Sequence, residues 1–516
     1  MLVFSAQILY NDKKEVIKEG VFPVLVHDLI WRGRPEDVAI NDQGRSLTYR
    51  ALILSVTICR SRLYADGVRM HDRVAIYSHN CAEYIIAYMA IASLGAVVVP
   101  INFQLSMRET AFILKNADVH YLISDQPLDL ESSLSAYEHS PVKTVLISEC
   151  VRPVGSASAP ALPEDFGADE PCAIIYTSGT TGMPKGAILS HRNLVMNAIS
   201  LQQVVHLTRK DSILCVLPMY HCFAWTCAVL NELYTGSSIT VQDSFTPKKT
   251  VELVRAYNIS VIVMVPSICS LLTKLASPED MKSLRFVMLG GTPLPLPIGE
   301  AFRTKFKIPI VEGYGLSEAS PVVTMNAPEA TRLGSVGPAI PNVRLRFVDA
   351  NGHDVPQGEP GELLVQGPNV MHGYLGDPNA SAEALQDGWL HTGDIARIDE
   401  DGYVYIVDRI KDMIISMGEN IYPREIEELI YAFPGIHETA VIPIEDSLRG
   451  QAGCCYFSVQ PGFSVDIRKL KKHLQQNLAL FKSPREFRQI EKLPKTSTGK
   501  IAKKELKELF RQTAKA

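Results

Sequence analysis

The sequence of 516 residues has no paired-cysteine pattern. Its ten cysteines are scattered without a single C-x-x-C, and Cys59, Cys215 and Cys227 fall within apolar runs. They read as small core residues in a reducing, cytoplasmic setting, which excludes a disulfide framework or a zinc site. A basic excess is missing too. Lys and Arg number 51 against 56 Asp and Glu, a net charge of −5, so the chain carries no global footprint for nucleic acid. No internal repeat or long low-complexity tract occurs. The N-terminus shows neither a basic segment ahead of an apolar stretch nor a clear cleavage site, so no signal peptide is expected. Residues 84–101 are uncharged over eighteen positions, long enough for a membrane-spanning helix. Gly95 interrupts them, and residues 97–100 are Val-Val-Val-Pro, β-branched and then stopped by proline. A helix followed by a buried strand is expected instead. Peripheral membrane contact and a homodimer are left open.

What is present is ordinary soluble composition, 46% hydrophobic and 21% charged, in a chain too long for one core. Charge is uneven. Residues 410–516 hold 18 Lys and Arg against 13 Asp and Glu, whereas the remainder holds 33 against 43. A small basic unit beside a large acidic one suits phosphate ligands, although a solvated basic face is the commoner explanation. Short β-rich runs alternate with helical patterns, as at 73–77 before 82–93 and at 260–265 before 268–275. This predicts an α/β fold with mixed sheets in a large N-terminal part. Residues 152–170, rich in Pro, Ala, Ser and Asp, read as a surface connector. After a glycine-punctuated β-like region at 361–407 come a helix at 423–433, with Ile426, Leu429, Ile430 and Phe433 at helical spacing, a strand at 439–444, a helix near 467–478 and a lysine-rich tail. That is a small α+β domain of about 100 residues. The expected division is 1–409 and 410–516.

The most informative stretch is Y-T-S-G-T-T-G-M-P-K-G at 176–186, between the apolar runs 173–175 and 187–189. Thr177, Ser178, Gly179, Thr180, Thr181, Gly182 and Lys185 offer close-approaching backbone, hydroxyl donors and one positive charge. That is what a polyphosphate needs and what a core cannot use. The spacing is not that of the common G-x-x-x-x-G-K-[ST] loop. A flexible linker is the plainer alternative, but linkers rarely sit between two apolar β-like runs.

Five further segments are weak singly. Glu312-Gly-Tyr314-Gly-Leu-Ser317-Glu318 brings together an aromatic ring, a hydroxyl and a carboxylate, as any strand-end turn could. Gly290-Gly291-Thr292 follows the apolar run 286–289. Gly388-Trp-Leu-His-Thr-Gly-Asp394 is read as a tight turn ending in a carboxylate suited to paired ribose hydroxyls. Arg409, within Asp408-Arg-Ile-Lys411, is a bidentate donor. Lys500 closes Pro494-Lys-Thr-Ser-Thr-Gly-Lys on a glycine-flanked loop, where a merely solvated lysine would also be at home.

In this order and approximate spacing the six segments resemble those of the acyl-adenylate-forming superfamily, which includes acyl-CoA synthetases, nonribosomal adenylation domains and luciferase. The resemblance runs from about Leu47 to Ile501. It implies a large N-terminal domain, a small mobile C-terminal domain, and ATP, Mg²⁺ and CoA as cofactor and co-substrates. By this resemblance the residues from Thr177 to Lys185 hold the β- and γ-phosphates, while Gly290, Gly291, Thr292 and Tyr314 border adenine. Glu312 and Ser317 belong to the nucleotide site, with Ser317 standing where Thr is more usual. Glu318, with Thr177, serves the Mg²⁺, and Asp394 and Arg409 hold the ribose. Lys411 is the hinge and Lys500 the catalytic lysine of adenylation. Gly418 faces the thiol tunnel.

The segment 218–225, Pro-Met-Tyr-His-Cys-Phe-Ala-Trp, is similar to the family's acyl-pocket border. His221, Phe223 and Trp225 are its candidates. No acidic residue lies between 214 and 230 to pair with an α-amine, which argues against an amino acid. The expectation is a medium- or long-chain fatty acid–CoA ligase. The alternatives are an aryl-acid–CoA ligase, an acyl–acyl-carrier-protein synthetase and, more remotely, a catalytically silent adenylate-binding protein.

Overall fold

The computed structural model describes residues 25–135, 141–153, 159–177, 184–416, 419–446, 449–495 and 500–514. Two large sheets organise the N-terminal part. One has eight strands, ordered Val322–Met325, Ile310–Gly315, Phe286–Leu289, Val261–Met264, Ser212–Cys215, Ser238–Val241, Val38–Asp42 and Arg45–Thr48. Its interior is parallel, and its strands from 212 to 289 are buried at nearly every position, as expected of a sheet covered on both faces. The other has seven strands, ordered Gly373–Tyr374, Lys185–Ser190, Pro171–Thr177, Val97–Ile101, Arg73–Tyr77, Tyr121–Ser124 and Lys143–Leu146.

The uncharged stretch resolves as read, into a helix, Ala82–Ser93, and a strand, Val97–Ile101. Apart from Glu83 in its first turn, this helix is buried all round, because it touches Val38–Asp42 of one sheet and Arg73–Tyr77 and Val97–Ile101 of the other. Among the described residues no helix is long and apolar enough to cross a membrane. Pro100 does not stop the strand as expected. It continues the strand in register with Ile76, and the ladder to Pro171–Thr177, which registers at Val98–Ala173, asks for no partner at Pro100.

A third, five-stranded sheet joins Arg344–Val348, Gly361–Gln366, Trp389–Ile398, Leu385–Gln386 and Val404–Arg409. The expected turn at 388–394 is displaced. Asp387 and Gly388, at φ of +51° and +77°, form the two-residue hairpin turn between Gln386 and Trp389. Asp394 lies six residues on, in the body of the strand Trp389–Ile398 and opposite Arg409.

The C-terminal part has its own five-stranded sheet, with Gly450–Val459 at its centre and Ile436–Asp446 along one edge. The helices Pro423–Tyr431 and Ile467–Asn477 cover it through Ile426, Ile430, Leu470 and Leu474. Phe433 lies beyond the first helix's end. The lysine-rich tail is no loose end, for Lys503–Ala514 is a helix that buries Leu506 against Ala440, Ile442 and Tyr456. These cores are separate from the main one, as expected of a large N-terminal and a small C-terminal domain. All ten cysteines are free and all but Cys81 are buried.

Candidate active site

The phosphate-loop candidate is a hairpin connection. Thr177 ends one antiparallel strand, Lys185 begins the next, and the two are register partners. Ser178, Gly179, Thr180, Thr181 and Gly182 lie outside the described residues, as does Gly418. The short strand Gly373–Tyr374 extends the sheet beside Lys185–Ser190, with Tyr374 opposite Ala187 and the Leu375 N–H donating to the Gly186 carbonyl at 2.8 Å.

Glu318 sits on the short turn Ser317–Ala319, just after the strand Ile310–Gly315. Its Oε1 accepts from the Tyr374 hydroxyl at 2.9 Å and lies 3.5 Å from Thr177 Oγ1, so the carboxylate reaches the mouth of the hairpin. The Lys185 ammonium lies 5.3 Å from the centre of the Tyr374 ring. Tyr374 was not singled out in the sequence. A tyrosine after a lone glycine carries no motif, and only the strand pairing brings it here.

Side chains of two sheets meet next to this point. The Tyr314 hydroxyl donates to Asp394 Oδ2 at 2.5 Å, and Arg409 Nε lies 3.2 Å from Asp394 Oδ1. Burial lowers the pKa of Lys500, the nearby Arg409 and Lys411 lower it further, and Cys222 and Asp394 oppose them. Lys500 therefore lies in the same electrostatic field as the Asp394–Arg409 pair. Burial and then Lys500 push His221 down to about 4, so its imidazole is neutral near pH 7. Its Nδ1 accepts from the Phe223 N–H at 3.2 Å, capping the helix Cys222–Trp225. Cys222, a second residue that the sequence did not mark, has its Sγ 3.3 Å from Ser317 Oγ. Burial raises the thiol to about 11, so it is a neutral wall group.

The glycine turn 290–292 lies against the same wall. A methyl group at Gly290 would stand 3.1 Å from Phe223 Cζ and 3.3 Å from the Gly313 carbonyl, so a side chain there would crowd that ring. Glu312 is buried. Its Oε1 accepts from the Leu294 N–H at 3.2 Å and fixes the end of this turn, and burial pushes the carboxyl up to about 7. Trp225 is deeper than a wall position, stacked on Tyr88 at 4.0 Å within the core.

Lys411 lies on the turn Ile410–Asp412, directly after Arg409. Contacts on either side of it bind the two parts together. Asp408 Oδ2 accepts from the Arg424 N–H at 2.9 Å, and Arg424 Nη1 donates to the Ile406 carbonyl at 2.6 Å.

The AMP-binding enzyme family matches residues 29–375, and its C-terminal domain matches residues 425–500. The chain belongs to the AMP-binding enzyme family. The chain is 35% identical to a feruloyl-CoA synthase of Amycolatopsis sp over 492 residues, 93% of this chain and 97% of that one. It is 33% identical to a 2-succinylbenzoate–CoA ligase of Geobacillus sp. (strain WCH70), over 92% of this chain and 95% of that one. Among solved structures it resembles the O-succinylbenzoate coenzyme A synthetase of Bacillus subtilis in complex with ATP and magnesium ion. That likeness has a TM-score of 0.83 and 28% identity over 93% of this chain and 99% of that one. This AMP-binding enzyme is an AMP-forming acid–CoA ligase with ATP and CoA as co-substrates and Mg²⁺ accompanying ATP.

The donor set fits that metal. Glu318 and Thr177 offer hard oxygens, and among the described residues no cluster of three or more His, Cys, Asp or Glu could cage an ion. Mg²⁺ is ordinarily held this way, by one or two carboxylates together with substrate phosphates and water.

Proposed function

We propose that this ligase activates an aromatic carboxylic acid and transfers it to CoA. The observation that carries this reading is similarity over nearly the full length to feruloyl- and 2-succinylbenzoate–CoA ligases. The expectation of a medium- or long-chain fatty acid gives way to it, because apolar residues after His221 suit an aryl ring as well as an alkyl tail. Phe223, close beside Gly290, supplies an aromatic side chain on which an aryl acid could pack. The first acidic residue after Leu230 is Glu232, which is buried and bonded to Ser237, and so is no partner for a substrate amine.

In this reading Thr177, Lys185 and the loop between them hold the β- and γ-phosphates, Gly290–Thr292 and Tyr314 flank adenine, and Asp394 and Arg409 take the ribose hydroxyls. Glu318, with Thr177, binds Mg²⁺, which neutralises phosphate charge when bound. A carboxylate is a weak nucleophile and the α-phosphorus is shielded by its oxygens, so positioning and charge neutralisation matter more than a general base. Lys500 supplies positive charge where it develops on the α-phosphate and the departing pyrophosphate. Neutral His221 and Cys222 border the acid without adding charge of their own. The domain boundary falls at Arg409/Ile410, and rotation about Lys411 removes Lys500 and admits the thiol past Gly418. Ten unpaired cysteines support a reducing, cytoplasmic setting.

The test is kcat/KM across ferulate, cinnamate, benzoate, hexanoate, decanoate, palmitate and leucine, with free CoA and with a carrier protein as acceptor. An aryl acid with free CoA should lead. If decanoate or palmitate outruns every aryl acid, the aromatic assignment is wrong.

A further inference from the structure

We infer that Tyr374 is a positioning residue that sets both the Mg²⁺ carboxylate and the phosphate-loop lysine. The inference rests on the proposed roles of Glu318 and Lys185. Glu318 stands on a turn of only three residues, half exposed, and such a side chain has several rotamers open to it. Two contacts narrow the choice, and the shorter is from Tyr374: its hydroxyl donates to Oε1 at 2.9 Å, whereas Thr177 Oγ1 lies 3.5 Å from the same oxygen. A phenol is protonated near neutral pH, so its hydroxyl is the donor and the carboxylate the acceptor.

Tyr374 is itself held firmly. Its N–H donates to Ser381 Oγ at 2.8 Å, and its strand pairs with the strand that begins at Lys185. The face of its ring lies 5.3 Å from the Lys185 ammonium, within range of a cation–π attraction. One side chain thus links two groups that come from different sheets and that must act on the same polyphosphate. Its hydroxyl serves the carboxylate and its ring serves the lysine, so the two functions can be separated by substitution.

Tyr374→Phe removes the hydroxyl and keeps the ring, and Tyr374→Leu removes both. The readouts are the Mg²⁺ concentration that half-saturates pyrophosphate release, kcat and KM for ATP, and the calorimetric Kd of ATP with Mg²⁺ or with EDTA, without acid. Tyr374→Phe should raise half-saturating Mg²⁺ and the Kd of MgATP by about 10-fold, the usual loss when a group that orients a metal ligand is removed. Its kcat at saturating Mg²⁺ and its metal-free ATP affinity should stay near wild type. Tyr374→Leu should weaken metal-free ATP binding as well. Wild-type Mg²⁺ dependence in Tyr374→Phe, alongside a shifted dependence in Glu318→Gln, would overturn the inference and leave the role of Glu318 intact. If Glu318→Gln also leaves the Mg²⁺ dependence unchanged, the metal assignment itself fails.

Discussion

Tyr314 donates its hydroxyl to Asp394 Oδ2 at 2.5 Å, across a gap of 80 residues and between two different sheets. With Arg409 on the other oxygen, the carboxylate is clamped from both sides, which suits the proposed role of meeting two ribose hydroxyls. Tyr314→Phe should raise KM for ATP roughly 10-fold, since a hydrogen bond to a charged group contributes about 1.5–3 kcal/mol. KM for the acid should hardly change. With 2′,3′-dideoxy-ATP the penalty should shrink; an equal penalty with both nucleotides would remove Asp394 from the ribose.

In the proposed mechanism Lys500 serves the first half-reaction only. Lys500→Ala should slow acyl-AMP formation by roughly 10²–10³-fold, the usual loss of one preorganised electrostatic group. Thioester formation from supplied acyl-AMP should change far less. Single-turnover measurements of the two steps decide this, and equal losses in both would contradict a rotation that carries Lys500 away.

Lys411 lies two residues after Arg409, in the stretch between residues whose contacts must break if the domains rotate. Proline fixes φ near −65°. Lys411→Pro should therefore preserve one half-reaction and block the other. If both run at wild-type rates, the pivot is at another residue.

Glu232 predicts a pH dependence of stability. Burial pushes its carboxyl up to about 8 from an ordinary 4.5. Between those values the native protein keeps a proton that the unfolded chain has released. Its contribution is complete below pH 4.5 and is lost as the pH rises to about 8. Denaturant unfolding of Glu232→Gln should show a flatter pH profile over that window than wild type. Identical slopes would mean that Glu232 is ionised in the folded protein.

The sequence by itself determined the α/β alternation, the two-part organisation and the order of the nucleotide segments. These are local properties: apolar runs of strand length, helical spacing at Ile426 and Ile430, and a glycine- and hydroxyl-rich loop that no core could absorb. It marked Asp394 but misplaced it in a turn, since whether a glycine-flanked carboxylate ends a hairpin or continues a strand depends on the partner strand, here the one ending at Arg409. Pro100 misled for the same reason, because what a missing N–H costs depends on which neighbour stands opposite. Tyr374 carried no motif, and Cys222 lay in a segment marked only for its neighbours. Each acquires a function only from a residue 56 or 95 positions away, and sheet pairing and helix packing choose those neighbours. The acid was the least legible of all. Backbone and phosphate recognition use a few fixed residue types, whereas a pocket wall is apolar for an alkyl chain and for a ring alike, and only its three-dimensional shape separates them.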